Sequence, residues 1–274
     1  MKPDYKNWMP IQMIIGFLVG AIIFFILSLI FKENILVINQ GWNGILFVIF
    51  LVLTIIMALI CLYMYMLYRA FDYNGGRKLS KEIIEKTAKF SKVVEEGKVL
   101  DIGCGSGALT IAVAKENPKS YVIGLDRWGK EYASFNKELC EINAKIEDVS
   151  DRTEFIEGNA VKLPFEDESF DAIVSNYCIH NIPLRNRQEI LLEALRTLKK
   201  GGTFALHDIY SNGKYGDMNA FIDKLKSKGY EKVELIDTTD KFMKKREAKL
   251  YFLNGSGILY GRKWYFSMVL TSGL

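Results

Sequence analysis

The chain has 274 residues with 36 basic and 32 acidic side chains, and its net charge is +4. That length has room for one sizeable α/β domain plus an appended segment. The modest charge, with no stripe of interleaved basic and aromatic residues, argues against a nucleic-acid partner. The four cysteines and two histidines have no metal-site spacing, so we expect no metal and a reducing compartment.

Two long uncharged stretches come first in the chain. Residues 11–31 and 45–68 contain no Asp, Glu, Lys or Arg. At about 1.5 Å per residue, each is long enough to cross a bilayer core of roughly 30 Å. The alternative is two buried helices of a globular core, but core helices of this length usually carry a charged face. We therefore predict a membrane anchor over residues 1–68, with spans at 11–31 and 45–68.

The cations that flank these stretches predict an orientation. Lys2 and Lys6 precede the first stretch, the connection holds only Lys32, and four cations follow the second: Arg69, Arg77, Lys78 and Lys81. The positive-inside rule then places both termini and the rest of the chain in the cytoplasm, as a multi-pass protein of the cell membrane. Residues 69–97 are predicted to form a polar linker and a helix over about 80–91, capped by Ser80.

A glycine-rich turn follows the linker. Residues 98–102 read as a buried strand and 109–115 as a helix, with Gly103, Gly105 and Gly107 between them. Asp101 would repel a pyrophosphate but suits a ligand that carries an ammonium group. Asp126 ends a second apolar strand, where an acid is placed to accept hydrogen bonds from both hydroxyls of a ribose. The turn alone also fits a dinucleotide-binding loop or a plain strand–helix turn.

Five segments in order make the pattern specific: LDIGCGSG, GLD, EGNA, FDAIVSNYCIHNI and LKKGGTFALHD. Together they resemble the class I S-adenosylmethionine-dependent methyltransferases, from about residue 98 to residue 263. The resemblance implies an α/β fold with a seven-stranded, doubly wound, Rossmann-like sheet over residues 98–274, whose seventh strand is antiparallel. It also implies S-adenosylmethionine as the cofactor.

The resemblance assigns roles around the glycine turn. Asp101 and the turn would hold the methionine end, Asp126 the ribose, and Asn159, where the family often has Asp, the adenine amino group. Trp128 either stacks on the adenine or caps the sheet edge. The predicted cofactor contacts are Asp101, Gly103, Cys104, Gly105, Ser106, Gly107, Asp126, Arg127, Trp128, Asn159, Ala160 and Asn176.

The other elements follow from hydrophobic periodicity. Helices are expected over about 130–147, 190–198 and 217–227. Strands are expected over 153–157, 170–175, 203–206 and 231–236, and a hairpin-like pair over 250–253 and 257–262.

Candidate catalytic residues follow two of these strands. Tyr177 and His180 come just past the fourth strand, and His207 and Asp208 lie at the tip of the fifth, where open α/β sheets bind their ligands. Tyr177 is a candidate for cofactor or substrate contact. A neutral imidazole can take a proton from a nucleophile as it is methylated, which favours His180. The alternative role for His180 is to position the helix that follows it.

The function expected from these features is methyl transfer to a small, hydrophobic or membrane-resident acceptor, such as a quinone, isoprenoid, phospholipid, thiol or phenol. The basic residues 241–249 either meet anionic lipid headgroups or form a solvated face. The rival functions are an NAD(P)-dependent reductase and a catalytically silent, membrane-bound scaffold that binds S-adenosylmethionine. Neither the acceptor nor the oligomeric state follows from the sequence.

Overall fold

The computed structural model of the chain describes residues 1–36, 39–93, 96–129 and 134–264. Its contacts divide the chain into two units. Asn7–Ser80 form one unit, and Met1–Lys6 together with Lys81–Leu274 form the other. Each unit is described by itself below.

The smaller unit contains two long apolar helices, α1 (Ile11–Lys32) and α2 (Gln40–Phe71). They form an antiparallel pair in which the rings of Phe31 and Phe50 stack with centroids 5.5 Å apart. At the connection the side chain of Asn43, 1% exposed, donates hydrogen bonds to Asn34 and to the carbonyl of Leu36.

Both helices are long and apolar enough to cross a membrane. Their large apolar side chains face outward, as at Leu18, 50% exposed, and Leu59, 60% exposed. Such exposure is costly in water and ordinary in lipid, so these are not the buried helices of a globular core.

Helix α3 (Leu79–Ala88) follows, and its start differs from the sequence expectation. Ser80 lies inside the first turn, where its hydroxyl donates to the carbonyl of Phe71 at 2.7 Å. The sequence-based prediction that Ser80 caps this helix is therefore wrong.

The larger unit is built on a seven-stranded sheet, which confirms the expected fold class. The strand order is β3-β2-β1-β4-β5-β7-β6, and β7 is antiparallel to both of its neighbours. The strands are β1 (Lys98–Ile102), β2 (Tyr121–Asp126), β3 (Thr153–Glu157), β4 (Phe170–Asn176), β5 (Leu198–Ile209), β6 (Tyr230–Asp237) and β7 (Ser256–Lys263). The helices between them are α4 (Ala108–Glu116), α5 (Lys137–Ile146), α6 (Gln188–Arg196), α7 (Asn212–Tyr215), α8 (Met218–Ser227) and α9 (Lys245–Leu250).

The core of this unit lies on both faces of the sheet. In β1 and β4 the runs 99–102 and 172–175 are continuously buried, as expected for parallel strands that are covered on both sides. Because β1, β2, β4 and β5 are parallel neighbours, their carboxyl ends meet at one edge. The glycine turn and both histidines lie at or near that edge.

Several predicted boundaries were wrong, each for a local reason. Helix α5 starts at Lys137 rather than near 130, because the side chain of Asn136 accepts from the amide of Leu139 and caps the helix there. Residues 130–133 lie outside the described part of the chain.

Strand β5 starts at Leu198, inside the helix expected over 190–198. The lysine–glycine stretch that was expected to precede the strand therefore lies within it, and the register with β4 shifts between Phe170 and Ala172.

The prediction of a hairpin strand over 250–253 is also wrong, since Leu250 ends helix α9. There the carboxylate of Glu247 accepts from the backbone amide of Lys244 and favours a helix start. The end of the apolar tail, residues 265–274, lies outside the described residues.

Candidate active site

The glycine turn between β1 and α4 is shaped by its backbone. Gly103, Gly105 and Gly107 all have positive φ, at +77°, +57° and +81°, a region that residues with a Cβ rarely adopt. A Cβ on Gly103 would lie 2.1 Å from the sulfur of Cys178, whereas one on Gly105 would meet, among the described residues, only the ring of Phe135, at 3.5 Å. Gly105 is therefore the point at which a ligand can approach the turn.

Asp126, at the end of β2, holds this turn. One carboxylate oxygen accepts from the amide of Gly105 and the other from the amide of Trp128, each at 2.8 Å. The indole N–H of Trp128 in turn donates to the carbonyl of Gly105 at 2.9 Å. Each carboxylate oxygen keeps a further lone pair, so Asp126 can also accept from ligand hydroxyls.

Asp101, in β1, lies beneath the turn and is fully buried. One carboxylate oxygen accepts from the hydroxyl of Thr110 at 2.7 Å, and the other, Oδ1, has no partner among the described residues. Burial raises the pKa of Asp101 to about 7. An unpaired buried carboxylate oxygen is the partner that a ligand ammonium group would satisfy.

The remaining predicted cofactor contacts line the neighbouring strand ends. Asn159 follows β3, is exposed, and accepts from the amide of Val161 through its side-chain oxygen at 2.9 Å. Ala160 is buried beside it, Arg127 follows Asp126 directly, and Asn176 ends β4.

His207 lies inside β5 and is fully buried, rather than at an open strand tip. Its Nδ1 donates to the side-chain oxygen of Asn176 at 2.7 Å, and its Nε2 accepts from the hydroxyl of Thr238 at 2.9 Å. Burial lowers the pKa of His207 to about 3. With both ring nitrogens engaged, His207 positions Asn176 and has no free atom for an acceptor.

Tyr177 packs against His207, with ring centroids 4.6 Å apart. Its hydroxyl shares a hydrogen bond of 2.6 Å with that of Ser256 at the start of β7, and burial raises its pKa. Cys178 is half-buried with its side chain against Gly103, and desolvation raises the pKa of its thiol, which disfavours the nucleophilic thiolate.

His180 has a different environment, built around Asp208. Its Nδ1 donates to one carboxylate oxygen of Asp208, and its backbone amide donates to the other at 3.0 Å. Tyr215 also donates to Asp208, at 2.8 Å. Burial acts to raise the pKa of Asp208, but the hydrogen bond from His180 and the others outweigh it and lower that pKa. Asp208 is therefore an ionised, fully enclosed carboxylate.

This arrangement leaves one ring nitrogen of His180 available. The side chain is 13% exposed, and no described residue makes a hydrogen bond to Nε2. Because Nδ1 carries the proton toward Asp208, Nε2 carries the lone pair. A base held by a buried carboxylate is the arrangement that general acid–base catalysis uses.

The sequence reasoning named His180 and Asp208 separately and missed their pairing. It also missed Thr110, Ser256 and Tyr215, whose hydroxyls hold Asp101, Tyr177 and Asp208. No motif marks these three residues. Thr110 and Tyr215 contact their acids from the helices that follow β1 and β5, and the sheet topology brings Ser256 to Tyr177.

The family model for a methyltransferase domain matches residues 100–206. The chain contains a methyltransferase domain. The match covers the glycine turn, Asp126, His180 and β5 as far as Leu206. It confirms the resemblance to class I S-adenosylmethionine-dependent methyltransferases that the five segments indicated.

The curated proteins that this chain matches share one name. The demethylmenaquinone methyltransferase of Listeria monocytogenes serovar 1/2a is 32% identical over 134 residues, which is 48% of this chain and 52% of the relative. That of Bacillus velezensis is 36% identical over 121 residues, 43% of this chain and 48% of the relative. The chain thus spans about half the length of the curated relatives it matches.

Solved structures support the fold. A geranyl diphosphate methyltransferase in complex with GPP and sinefungin aligns with a TM-score of 0.54 at 14% identity, over 72% of this chain and 83% of that one. The [4+2]-cyclase SpnF aligns with a TM-score of 0.50 at 18% identity, over 71% and 86%. Sequence identities this low support a shared fold and nothing more.

Proposed function

We propose that this chain transfers a methyl group from S-adenosylmethionine to a quinone-type acceptor at a membrane. The observation that carries the proposal is the juxtaposition of two parts of one sheet edge. An open glycine turn with an unpaired buried carboxylate lies at the ends of β1 and β2, and the His180–Asp208 pair lies beyond β4 and in β5. The quinone class comes from the name that the curated relatives share.

The residues present fit the cofactor. Asp101 Oδ1 lacks a partner and suits the ammonium group, Gly105 leaves room for close approach, and Asp126 has lone pairs for the ribose hydroxyls. Trp128 is held by Gly105 and serves first to fix the turn. We expect Asn159 to contact the adenine amino group, as the resemblance implies.

When bound, S-adenosylmethionine supplies an electrophilic methyl group. The protein then needs to align an acceptor and, where the acceptor carries a proton, to remove it. His180 Nε2 would take the proton of a hydroxyl on a reduced, quinol-type ring, which gives a ring carbon the electron density to accept the methyl group. The hydrogen on that carbon would then move to the oxygen as a proton and restore the aromatic ring, and His180 would release its own proton to water. Asp208 stabilises the imidazolium that forms, and Tyr215 holds Asp208 in place.

The two apolar helices supply the membrane part of the proposal. We infer that α1 and α2 span the bilayer, with both ends of the pair and the larger unit on the cytoplasmic side, as the flanking cations indicate. S-adenosylmethionine is then available to the glycine turn, and the acceptor can stay in the lipid phase.

The segment after β6 fits the same location. Phe242 and Met243 are buried and attach it to the larger unit, while Leu250 is 44% and Phe252 70% exposed. The surrounding cations are exposed: Lys241, Lys244, Lys245, Arg246 and Lys249. Exposed apolar side chains with exposed cations nearby in sequence suit an anionic lipid surface, where each cation contributes about 1 kcal/mol.

Activity is tested with the full chain in lipid bilayer discs. S-adenosylmethionine with a labelled methyl group and a demethylated quinol should give label in the quinone fraction. In a thermal-shift assay, S-adenosylhomocysteine should raise Tm and NADH should not. Stabilisation by NADH alone would support the reductase alternative, and stabilisation without any transfer to lipid, small-molecule or protein fractions would support the silent scaffold.

The orientation is tested by labelling single cysteines on intact cells with an impermeant reagent. Ile35→Cys, at a site 69% exposed in the connection between α1 and α2, should react. Ser227→Cys, exposed at the end of α8, should not. The reverse pattern would put the larger unit on the wrong side of the membrane.

A further inference from the structure

The first six residues belong to the larger unit, although the two apolar helices separate them from it in sequence. Met1–Lys6 group with Lys81–Leu274 rather than with the residues that follow them. Tyr5 is only 3% exposed, and its hydroxyl donates to Glu147, just after α5, at 3.2 Å. We refer to residues 1–6 as the strap.

The strap is held mainly through its backbone. The amide of Asp4 donates to Oδ1 of Asn143 at 2.8 Å, and the carbonyl of Asp4 accepts from Nδ2 of Asn143 at 2.9 Å. A side-chain amide thus pairs with both backbone groups of one residue, as a neighbouring strand would.

Asn143 continues this contact to the glycine turn. Its Nδ2 also donates to the carbonyl of Ser106 at 3.1 Å, between Gly105 and Gly107. Asn143 is fully buried, and both of its amide hydrogens are used. If the strap were removed, the buried side-chain amide of Asn143 would lose two of its three hydrogen bonds. We would then expect this side chain to turn toward water and to release the carbonyl of Ser106.

We propose that the strap is part of the cofactor site and that Asn143 is the positioning residue through which it acts. The glycine turn has few side chains of its own to fix it. Its shape therefore depends on side chains that bind its backbone, such as those of Asp126 and Asn143. With the strap in place, the turn is preorganised for the cofactor. This inference rests on the proposed function, since it assumes that the cofactor binds at the turn.

Two substitutions at one position separate the backbone contact from the side chain. Asp4→Pro removes the amide that Asn143 accepts from, whereas Asp4→Ala removes a side chain that, among the described residues, bonds only to Lys6 within the strap. In the full chain in bilayer discs, Asp4→Pro and Asn143→Ala should weaken S-adenosylhomocysteine binding about tenfold, as expected for one or two lost hydrogen bonds. Asp4→Ala should leave the affinity within about twofold.

The kinetic signature distinguishes positioning from general destabilisation. In Asp4→Pro, KM for S-adenosylmethionine should rise about tenfold, while kcat at saturation stays within about twofold, because only the free turn is disordered. A chain lacking residues 2–6 should behave in the same way, and the synthetic peptide MKPDYK should restore its affinity when added in trans.

Three results would overturn the inference. Unchanged affinity in Asp4→Pro and Asn143→Ala would show that the strap only packs on the surface. Equal losses in Asp4→Ala and Asp4→Pro would rule out the backbone contact as the cause. If the unsubstituted chain does not bind S-adenosylhomocysteine at all, the proposed function fails as well, an outcome that differs from the first two.

Discussion

The proposed cofactor side and the proposed acceptor side of the sheet edge, called the cofactor side and the acceptor side below, are built in different ways. On the cofactor side, Asp101, Gly105 and Asp126 lie within 26 residues of one another, and the contacts run largely through the backbone. On the acceptor side, side chains pair with one another across long separations, as in Tyr177 with Ser256, 79 residues away, and His180 with Asp208, 28 residues away.

This difference determines what each side can do. A turn made of backbone groups with a buried acid holds one type of ligand and tolerates little change. A site made of side chains from several strand ends can be altered one residue at a time, so the acceptor can change while the cofactor stays the same.

The strongest test of the cofactor side is Gly105→Val. A valine there has a strained backbone at φ +57° and fills the open side of the turn. We expect S-adenosylhomocysteine affinity to fall more than about 100-fold, measured by calorimetry. Gly229→Val is the matched control, since Gly229 also has positive φ, +86°, and open space, but lies before β6. Equal affinity losses in both variants would mean that strain, and not the site, is the cause.

Asp126→Ala should have the next largest effect. It removes the acceptors for two backbone amides as well as those proposed for the ribose. We expect a loss of about 1.5–3 kcal/mol, or roughly 12- to 160-fold in Kd. Asp126→Asn keeps one acceptor oxygen and should lose less. An unchanged Kd in Asp126→Ala would exclude the ribose role.

The raised pKa of Asp101 predicts that cofactor binding depends on pH. Its pKa is raised to about 7 in the free chain, so below that pH the carboxyl is mostly protonated and must lose the proton to pair with an ammonium group. S-adenosylhomocysteine affinity should therefore fall by up to about tenfold per pH unit below 7 and level off above it. Binding should release a proton near pH 6, detectable by calorimetry in buffers of different ionisation enthalpy. A flat profile in the unsubstituted chain would contradict this role, and Asp101→Asn provides the flat reference.

The lowered pKa of His207 predicts a smaller effect, which concerns the free energy of unfolding rather than cofactor binding. Its folded pKa of about 3 lies below the unfolded value of about 6.5, so between these values the unfolded chain binds more protons. Stability is therefore lost as pH falls from about 6.5, by up to about 1.4 kcal/mol per pH unit from this group. The fall in Tm on acidification should be shallower in His207→Gln than in the unsubstituted chain. Parallel curves would show that His207 is not held neutral.

The same contrast explains how much the sequence could predict. Glycines and acids at fixed spacing identify the backbone-built turn, and strand patterns predicted β1 and β3 with the bounds that the structure shows. The His180–Asp208 pair and the hydrogen bond between Tyr177 and Ser256 depend on which strands become neighbours, and local spacing does not contain that information. Thr110 and Tyr215 lie 9 and 7 residues from the acids they bind, on the helices that follow β1 and β5, but no motif marks them.

The strap shows a second limit of sequence reasoning. Residues 1–6 precede an apolar helix and read as the start of an anchor, yet Asp4 and Tyr5 pack on the larger unit. Such a contact joins residues about 139 positions apart and depends on one buried asparagine. A helix pattern predicts that Asn143 lies on α5, but it does not predict what that side chain contacts.

The most direct test of the account compares binding and turnover in His180→Gln. This variant removes the proposed base and leaves the glycine turn, Asp101 and Asp126 intact. S-adenosylhomocysteine Kd should stay within about twofold, while the rate of labelled-methyl transfer to a quinol in bilayer discs should fall by about 10²–10⁴-fold. Turnover within a few fold of the unsubstituted chain would contradict the division of the sheet edge into a cofactor side and an acceptor side.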